Sequence, residues 1–237
     1  YDTADGSDVQ EIPALDTNET NLSMVFAGSS PLDQPWDGSG VPKWSNTDEV
    51  LQLLEVHEAN LVVSLEAWNE SLSRPANETT AALHADPLKT AMLVGSLQTK
   101  LVRDLLPFLA GEGIESALDT LFGISIDERE AAVAPLADYL LGRGWYAPDW
   151  QRVDRLWEVC RDLLGVAQGE PRQALLCILA WIEWARGRGS MALVLLNQAV
   201  LENETYELAR LLQKLMEHGV MPAWATDQLR AWRANFS

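Results

Sequence analysis

The side chains able to do chemistry in this sequence are few and poorly grouped. There are three histidines, His57, His84 and His218. No two stand four apart, the spacing that puts two imidazoles on one helix face for a metal, and no cysteine lies near them in sequence. Glu55 is two residues from His57, and Glu217 adjoins His218. A helical dinuclear metal site uses Glu and His three apart, so this chain lacks that pattern. The acidic run Asp127-Glu128-Arg129-Glu130 stands at a helix start, where carboxylates offset the N-terminal dipole. Gly142-Arg143-Gly144 and Gly187-Arg188-Gly189 follow no strand and are too short to cradle a phosphate, so they read as helix C-caps. Cys160 and Cys177 each lie inside an apolar run and read as small buried hydrophobes. No catalytic residue, metal ligand or cofactor is assigned.

Tryptophan is the other signal, with ten Trp against four Phe and four Tyr. Each indole brings a large apolar area and one N–H that needs an acceptor. Trp181 and Trp184 are three apart on one helix and project near each other. Trp145, Trp150 and Trp157 flank a loop and the helix after it. Packing is the plain use of such residues, and an aromatic groove is the functional one, because Trp concentrates at binding hot spots. The candidate interaction groove is Trp157, Trp181 and Trp184, rimmed by Arg186, Arg188 and Arg210.

Helices must position these residues. From residue 46 onward the apolar period is helical almost without interruption. Asn46 with Glu49 suggests a capping box opening a helix to about Ser71, and a short helix spans 75–84. Pro87 suits a first turn, Pro107 should kink or stop that helix, and Gly111 and Gly113 break the chain. Ile114 to Phe122 form a helix stopped by Gly123. Asp127 opens the next, through Leu141 with a kink at Pro135, and Asp149 opens another through Val166. Pro171 starts the helix of Trp181, the Gly187 turn leads into a second, and a third follows Asn203. Pro222 starts a last helix with Trp224, Leu229 and Trp232. The fold class is all-α, a domain of stacked helical hairpins over 46–237. Residues 1–45 form an acidic, partly disordered lead-in and a Pro/Gly loop pinned by Trp36 and Trp44, with 21–28 open between helix and strand.

Length and charge narrow the function classes. A chain of 237 residues buries about 70% of its unfolded surface without a metal or disulfide staple. The formal charge is −18. Residues 1–86 hold 16 acidic and 2 basic side chains, a net of −14, and the rest hold 19 and 15, a net of −4. Such a chain lacks the clustered Lys and Arg that nucleic acid or an anionic membrane requires. No signal peptide and no apolar run of about 18 residues is present, so a cytoplasmic location is expected. The expected partner is a protein or peptide.

Residues 173–206 resemble one tetratricopeptide unit. Trp184 stands for its aromatic, Gly187 and Gly189 for its turn, Ala192 and Ala199 for the small crossing residues, and Asn203 to Tyr206 for its connection. No second copy follows at that period, which favours a single hairpin over an array.

A wider resemblance runs over 93–233. It rests on LVRDLLPFLAGEG with the doublet Arg103-Asp104, on LLCILAWIEWARGRGSMALVLLNQAV, and on TYELARLLQKLMEHGVMPAW with Tyr206, Leu208, Ala209, Leu211 and Leu212. With the WNESL region upstream, these segments resemble an actinobacterial domain-of-unknown-function family, number 4192. The resemblance implies a cytoplasmic protein and no particular activity. It also implies that this chain corresponds to a C-terminal helical portion, since the N-terminal α/β half of the family has no counterpart here. The sequence therefore points to a non-enzymatic interaction or scaffold module. The alternatives are an accessory domain of an enzyme and a small-molecule binder with a pocket between helices.

Overall fold

The computed structural model describes residues 41–56, 60–125, 129–143 and 146–235. Expectations placed on residues 1–40, His57, Asp127, Glu128, Gly144 and Trp145 lie outside these. The described regular structure is all helical, with no strand: α1 (Thr47–Val56), α2 (Leu61–Leu72), α3 (Ala76–Ala85), α4 (Pro87–Ser96), α5 (Lys100–Glu112) and α6 (Ile114–Ser125) come first. Then follow α7 (Arg129–Leu140), α8 (Trp150–Leu163), α9 (Gly169–Ala185), α10 (Gly189–Glu202) and α11 (Glu207–Glu217), and 3-10 turns at Ala223–Thr226 and Trp232–Asn235. Among the described residues no helix is long and apolar enough to cross a membrane.

Local chemistry sets several boundaries. Asp86 accepts from the Lys89 N–H at 3.0 Å with Pro87 at the first helical position, and Asp149 accepts from the Arg152 N–H at 3.2 Å. Gly142 (φ 67°) and Gly187 (φ 79°) take the left-handed conformation that ends a helix cheaply only for glycine. Both make the paired Schellman bonds: Arg143 N–H to Asp138 at 2.8 Å with Gly142 N–H to Tyr139 at 2.9 Å, and Arg188 N–H to Glu183 at 2.8 Å with Gly187 N–H to Trp184 at 2.9 Å.

Other boundaries differ from the sequence reading. The helix expected from 46 to about 71 is two, because Asn60 caps a new start by accepting from the Val63 N–H at 3.1 Å. Asn46 makes no capping box: its amide donates to the His84 carbonyl at 3.1 Å, while its Oδ1 has no partner. Pro107 does not stop α5, whose Val102, Leu105, Leu106 and Leu109 are all buried and outweigh one lost backbone bond. Gly123 lies inside α6 rather than stopping it, while Pro135 lies inside α7 as expected. The segment after Pro222 forms 3-10 turns rather than an α-helix.

The centre is α9. Every residue from Gln173 to Ala185 is buried, as expected of a helix apolar almost all round. It packs against α4, α5, α8, α10 and α11. The α9–α10 hairpin buries Ala192 and Ala199 completely. Its open end is fastened by Arg172, which grips Glu202 with Nε to Oε2 at 2.9 Å and Nη2 to Oε1 at 3.0 Å.

Indole N–H groups reach helix ends far away in sequence. Trp224 donates to the last residue of α9, Ala185, at 2.9 Å. Trp181 donates to the last residue of α7, Leu140, at 2.9 Å, and Trp44 to Asp162 near the end of α8, also at 2.9 Å. The Ala185 and Leu140 carbonyls, at the ends of their helices, have no partner within them, whereas the Asp162 carbonyl also accepts from the Gly165 N–H at 3.1 Å. We expect Trp224→Phe to destabilise the fold by about 1–3 kcal/mol, because a buried acceptor is left unpaired. Denaturant unfolding measures this, and a variant as stable as the parent would refute the capping role.

Glu202 gives a pH prediction. Burial raises its pKa, but the bonds from Arg172, Gln198 and Gln173 outweigh this and hold it below the ordinary 4.5. A depressed carboxyl contributes stability that is complete above the ordinary value and is lost as pH falls through the native one. Glu202→Gln should therefore flatten the stability–pH curve below about 4.5, read from urea midpoints at stepped pH. An unchanged acid limb would contradict it.

Candidate functional site

Helix α11 carries Leu208, Leu211, Leu212 and Leu215 at helical spacing, and none of the four is fully buried. The helix docks through Ala209 and Met216, 0% and 8% exposed, which lie to one side of that stripe. Leu211 remains 65% exposed. The leucines form one wall of a cleft of about 640 Å³. Pro107 of α5, Ala137 and Leu140 of α7, and Cys177, Ile178 and Trp181 of α9 form the opposite wall and floor. Lys214, His218 and Val220 stand at the C-terminal end of α11.

The cleft meets a second, polar depression of about 700 Å³ at Arg103, Asp104, Leu208 and Leu211. Lys100, Glu170, Asn203, Tyr206 and Glu207 line that end. Arg103 is 7% exposed. Its Nη2 lies 2.7 Å from Asp104, its Nη1 donates to the Tyr206 hydroxyl at 3.1 Å, and its guanidinium sits 5.9 Å from the Tyr206 ring centre. Burial works against the Arg103 charge, but the bonds to Asp104 and Tyr206 outweigh it and raise its pKa. Burial also raises the Tyr206 hydroxyl, against the pull of Arg103. The two motifs behind the family resemblance, 103 residues apart, thus meet in one contact.

The six residues expected to form one groove occupy four places. Trp181 lines the cleft. Trp184 does not: it is 1% exposed, and its N–H donates to the Val220 carbonyl at 2.7 Å. Trp157, Arg186 and Arg188 belong to a separate cluster with Trp232. Arg186 lies 5.5 Å from the Trp157 ring and 5.1 Å from the Trp232 ring, and Arg188 lies 4.3 Å from Trp232. Glu183 pairs with Arg186 at 2.7 Å and with Arg188 at 3.3 Å, and Asp154 also pairs with Arg186. Both arginines are thereby engaged inside the fold rather than rimming a groove. Arg210 is exposed on α11, away from that cluster.

The remaining candidates have structural places. The His84 ring stacks on Trp44 at 3.9 Å, and His218 Nδ1 bonds to the Lys214 carbonyl at 2.5 Å. Among the described residues no three His, Cys, Asp or Glu side chains converge as metal ligands. The sequence reading named Leu208, Leu211 and Leu212 only as carriers of the family resemblance. The signal available was its width: four leucines within eight residues exceed what docking through Ala209 and Met216 covers.

A family model described as "Domain of unknown function (DUF4192)" matches residues 56–223, a span that includes every residue of the cleft. No curated protein and no solved structure matches the chain.

Cys177 tests the floor of the cleft. Burial, opposed by Arg103, pushes its thiol up to about 12, and the Cys160 thiol is raised further by burial and Asp162. The reactive thiolate is therefore scarce at neutral pH. Both cysteines should resist a disulfide reagent in the native protein and react at once when denatured. Fast native labelling of Cys177 would mean that the floor opens to solvent.

Proposed function

We propose that this chain, which belongs to the DUF4192 family, is a binding module that holds an apolar ligand in the cleft between α5, α7, α9 and α11. The observation that carries this reading is the leucine stripe of α11, turned toward a concave apolar wall and left incompletely covered. A folded chain gains about 25 cal/mol for each Å² of apolar surface it buries, so a half-covered stripe is stabilisation left for a ligand to complete. The volume and the apolar lining, with few polar groups converging at the ends, match small-ligand sites.

A protein or peptide partner is the second reading, and the exposure of Leu211 favours it. An amphipathic helix laid along α11 would cover that side chain from the open side of the cleft. The first helix of the α9–α10 hairpin, read as a tetratricopeptide-like unit, then supplies part of the floor. On either reading the site lies on α11 and not around Trp184.

Nile red, an uncharged apolar dye, tests the reading. The folded protein should bind it at one site with enhanced emission. Leu211→Glu should abolish that signal while leaving thermal stability unchanged, because the side chain is mostly in solvent. Leu229→Glu, at an 88% exposed leucine that does not line the cleft, should keep it. Absence of dye binding in the parent protein, or equal loss in both variants, would overturn the assignment.

A further inference from the structure

The cleft has two chemically different ends, and the difference specifies a ligand. This inference rests on reading the cleft as a ligand site. At the polar end three carboxylates, Asp104, Glu170 and Glu207, line the depression beside Lys100 and Arg103. Arg103 is already bound to Asp104. An added anion there meets acidic walls. At the other end stand Lys214 and His218, and no carboxylate lines the apolar cleft at that mouth.

Lys214 is notable against the background of the molecule. The chain carries 35 acidic side chains against 17 Lys and Arg, so a cation here has an excess of potential partners. Arg74, Lys89, Arg103, Arg155, Arg161, Arg172, Arg186 and Arg188 all hold carboxylates. Among the described residues Lys214 makes no ion pair, as Lys43, Lys100, Arg152 and Arg210 make none, and of these five it is the one that borders the apolar cleft. Next to it, His218 Nδ1 faces the Lys214 carbonyl. A carbonyl only accepts, so that nitrogen carries the hydrogen; in the neutral ring Nε2 then only accepts, and Lys214 is the donor for an anion at this mouth.

The apolar part is elongated. Its wall follows α11 from Leu208 to Leu215 and on to Val220, roughly 10 Å along the helical portion at about 1.5 Å per residue. Its floor of Pro107, Cys177, Ile178 and Trp181 offers no polar side chain for a ring substituent to bond. A long narrow apolar trough with a lysine at one mouth and carboxylates at the other suits an unbranched chain with one anionic head.

We propose that the ligand is a free alkyl carboxylic acid, bound with its carboxylate at Lys214 and its chain running along the α11 leucines toward Arg103. Affinity rises with chain length, by about fourfold for each methylene that enters the cleft. The carboxylate adds up to about fivefold over an uncharged head, the scale of an ion pair at a solvent-exposed rim. The sign of this preference is diagnostic. A net charge of −18 attracts cations from a distance, so the overall field favours an alkylammonium, and only the local site favours the carboxylate.

The experiment is displacement of Nile red by dodecanoate, dodecanol and dodecylammonium, each below its self-association concentration. The parent protein and the variants Lys214→Ala and Leu211→Glu are compared. Dodecanoate should displace the dye at the lowest concentration. Lys214→Ala, an exposed substitution, should weaken dodecanoate by up to about fivefold and leave dodecanol unchanged. Leu211→Glu should abolish binding of all three. If dodecanol or dodecylammonium binds as tightly as dodecanoate, or if Lys214→Ala weakens all three alike, the assignment of the head group is wrong and the cleft reading stands. If the dye binds but none of the three displaces it, the alkyl-chain ligand is excluded. If the parent binds no dye, the cleft reading fails and this inference with it.

Discussion

The fold depends on what happens at the ends of its buried helices. The last carbonyls of an α-helix have no partner inside the helix, and hiding them from water without one is costly. Here α9 is buried along nearly its whole length and ends in the interior. Its terminus is closed twice over: the Gly187 turn satisfies Glu183 and Trp184, and the Trp224 indole satisfies Ala185. The same device closes α7 through Trp181 and α8 through Trp44. An indole suits this task because it covers a large apolar area around the one N–H it delivers. The excess of tryptophan over phenylalanine is thus accounted for by structure before any binding role is considered.

A second constraint follows from the first. A helix buried all round can still carry a charge if the charge is paired, and Glu183, 1% exposed, is paired with Arg186 and Arg188. Arg186 in turn holds Asp154, which accepts the Trp232 N–H at 2.9 Å. This network ties α9 to α8 and to the C-terminal turns. Removing one member of a buried set leaves the others uncompensated, so the group acts as a unit. The arginines after α9 look like a surface rim only if Glu183 is left out of account.

Legibility in the sequence followed the range of the interactions. The helix starts at Pro87 and Asp149 and the caps at Gly142 and Gly187 were readable because each is settled by a few adjacent residues. The burial of Cys160 and Cys177 was readable from the apolar runs around them. Pro107 and Gly123 misled because α5 and α6 continue through them, and on α5 tertiary burial overrides a local preference against helix. That Trp181 and Trp184 project near each other was readable, and their rings lie 6.3 Å apart; the burial of Trp184 was not. Trp181 and Trp184 lie on the same side of α9, and only the position of the later Val220 segment decides that one indole faces the cleft and the other the interior.

The cleft itself is a product of unequal side-chain size. Ala209 and Met216 are seven residues apart, two helical turns, and together they set the line along which α11 touches the rest of the fold. The leucines lie beside that line rather than on it, so closer docking would not bury them. Only a rotation of α11 would, and the Tyr206 hydroxyl bound to Arg103 opposes it at the N-terminal end of the helix. Arg103 is held in turn by Asp104 and by the apolar packing of α5. The resemblance motifs therefore act together as a stop: Tyr206 against Arg103-Asp104 holds the helix at the angle that leaves its leucine face open.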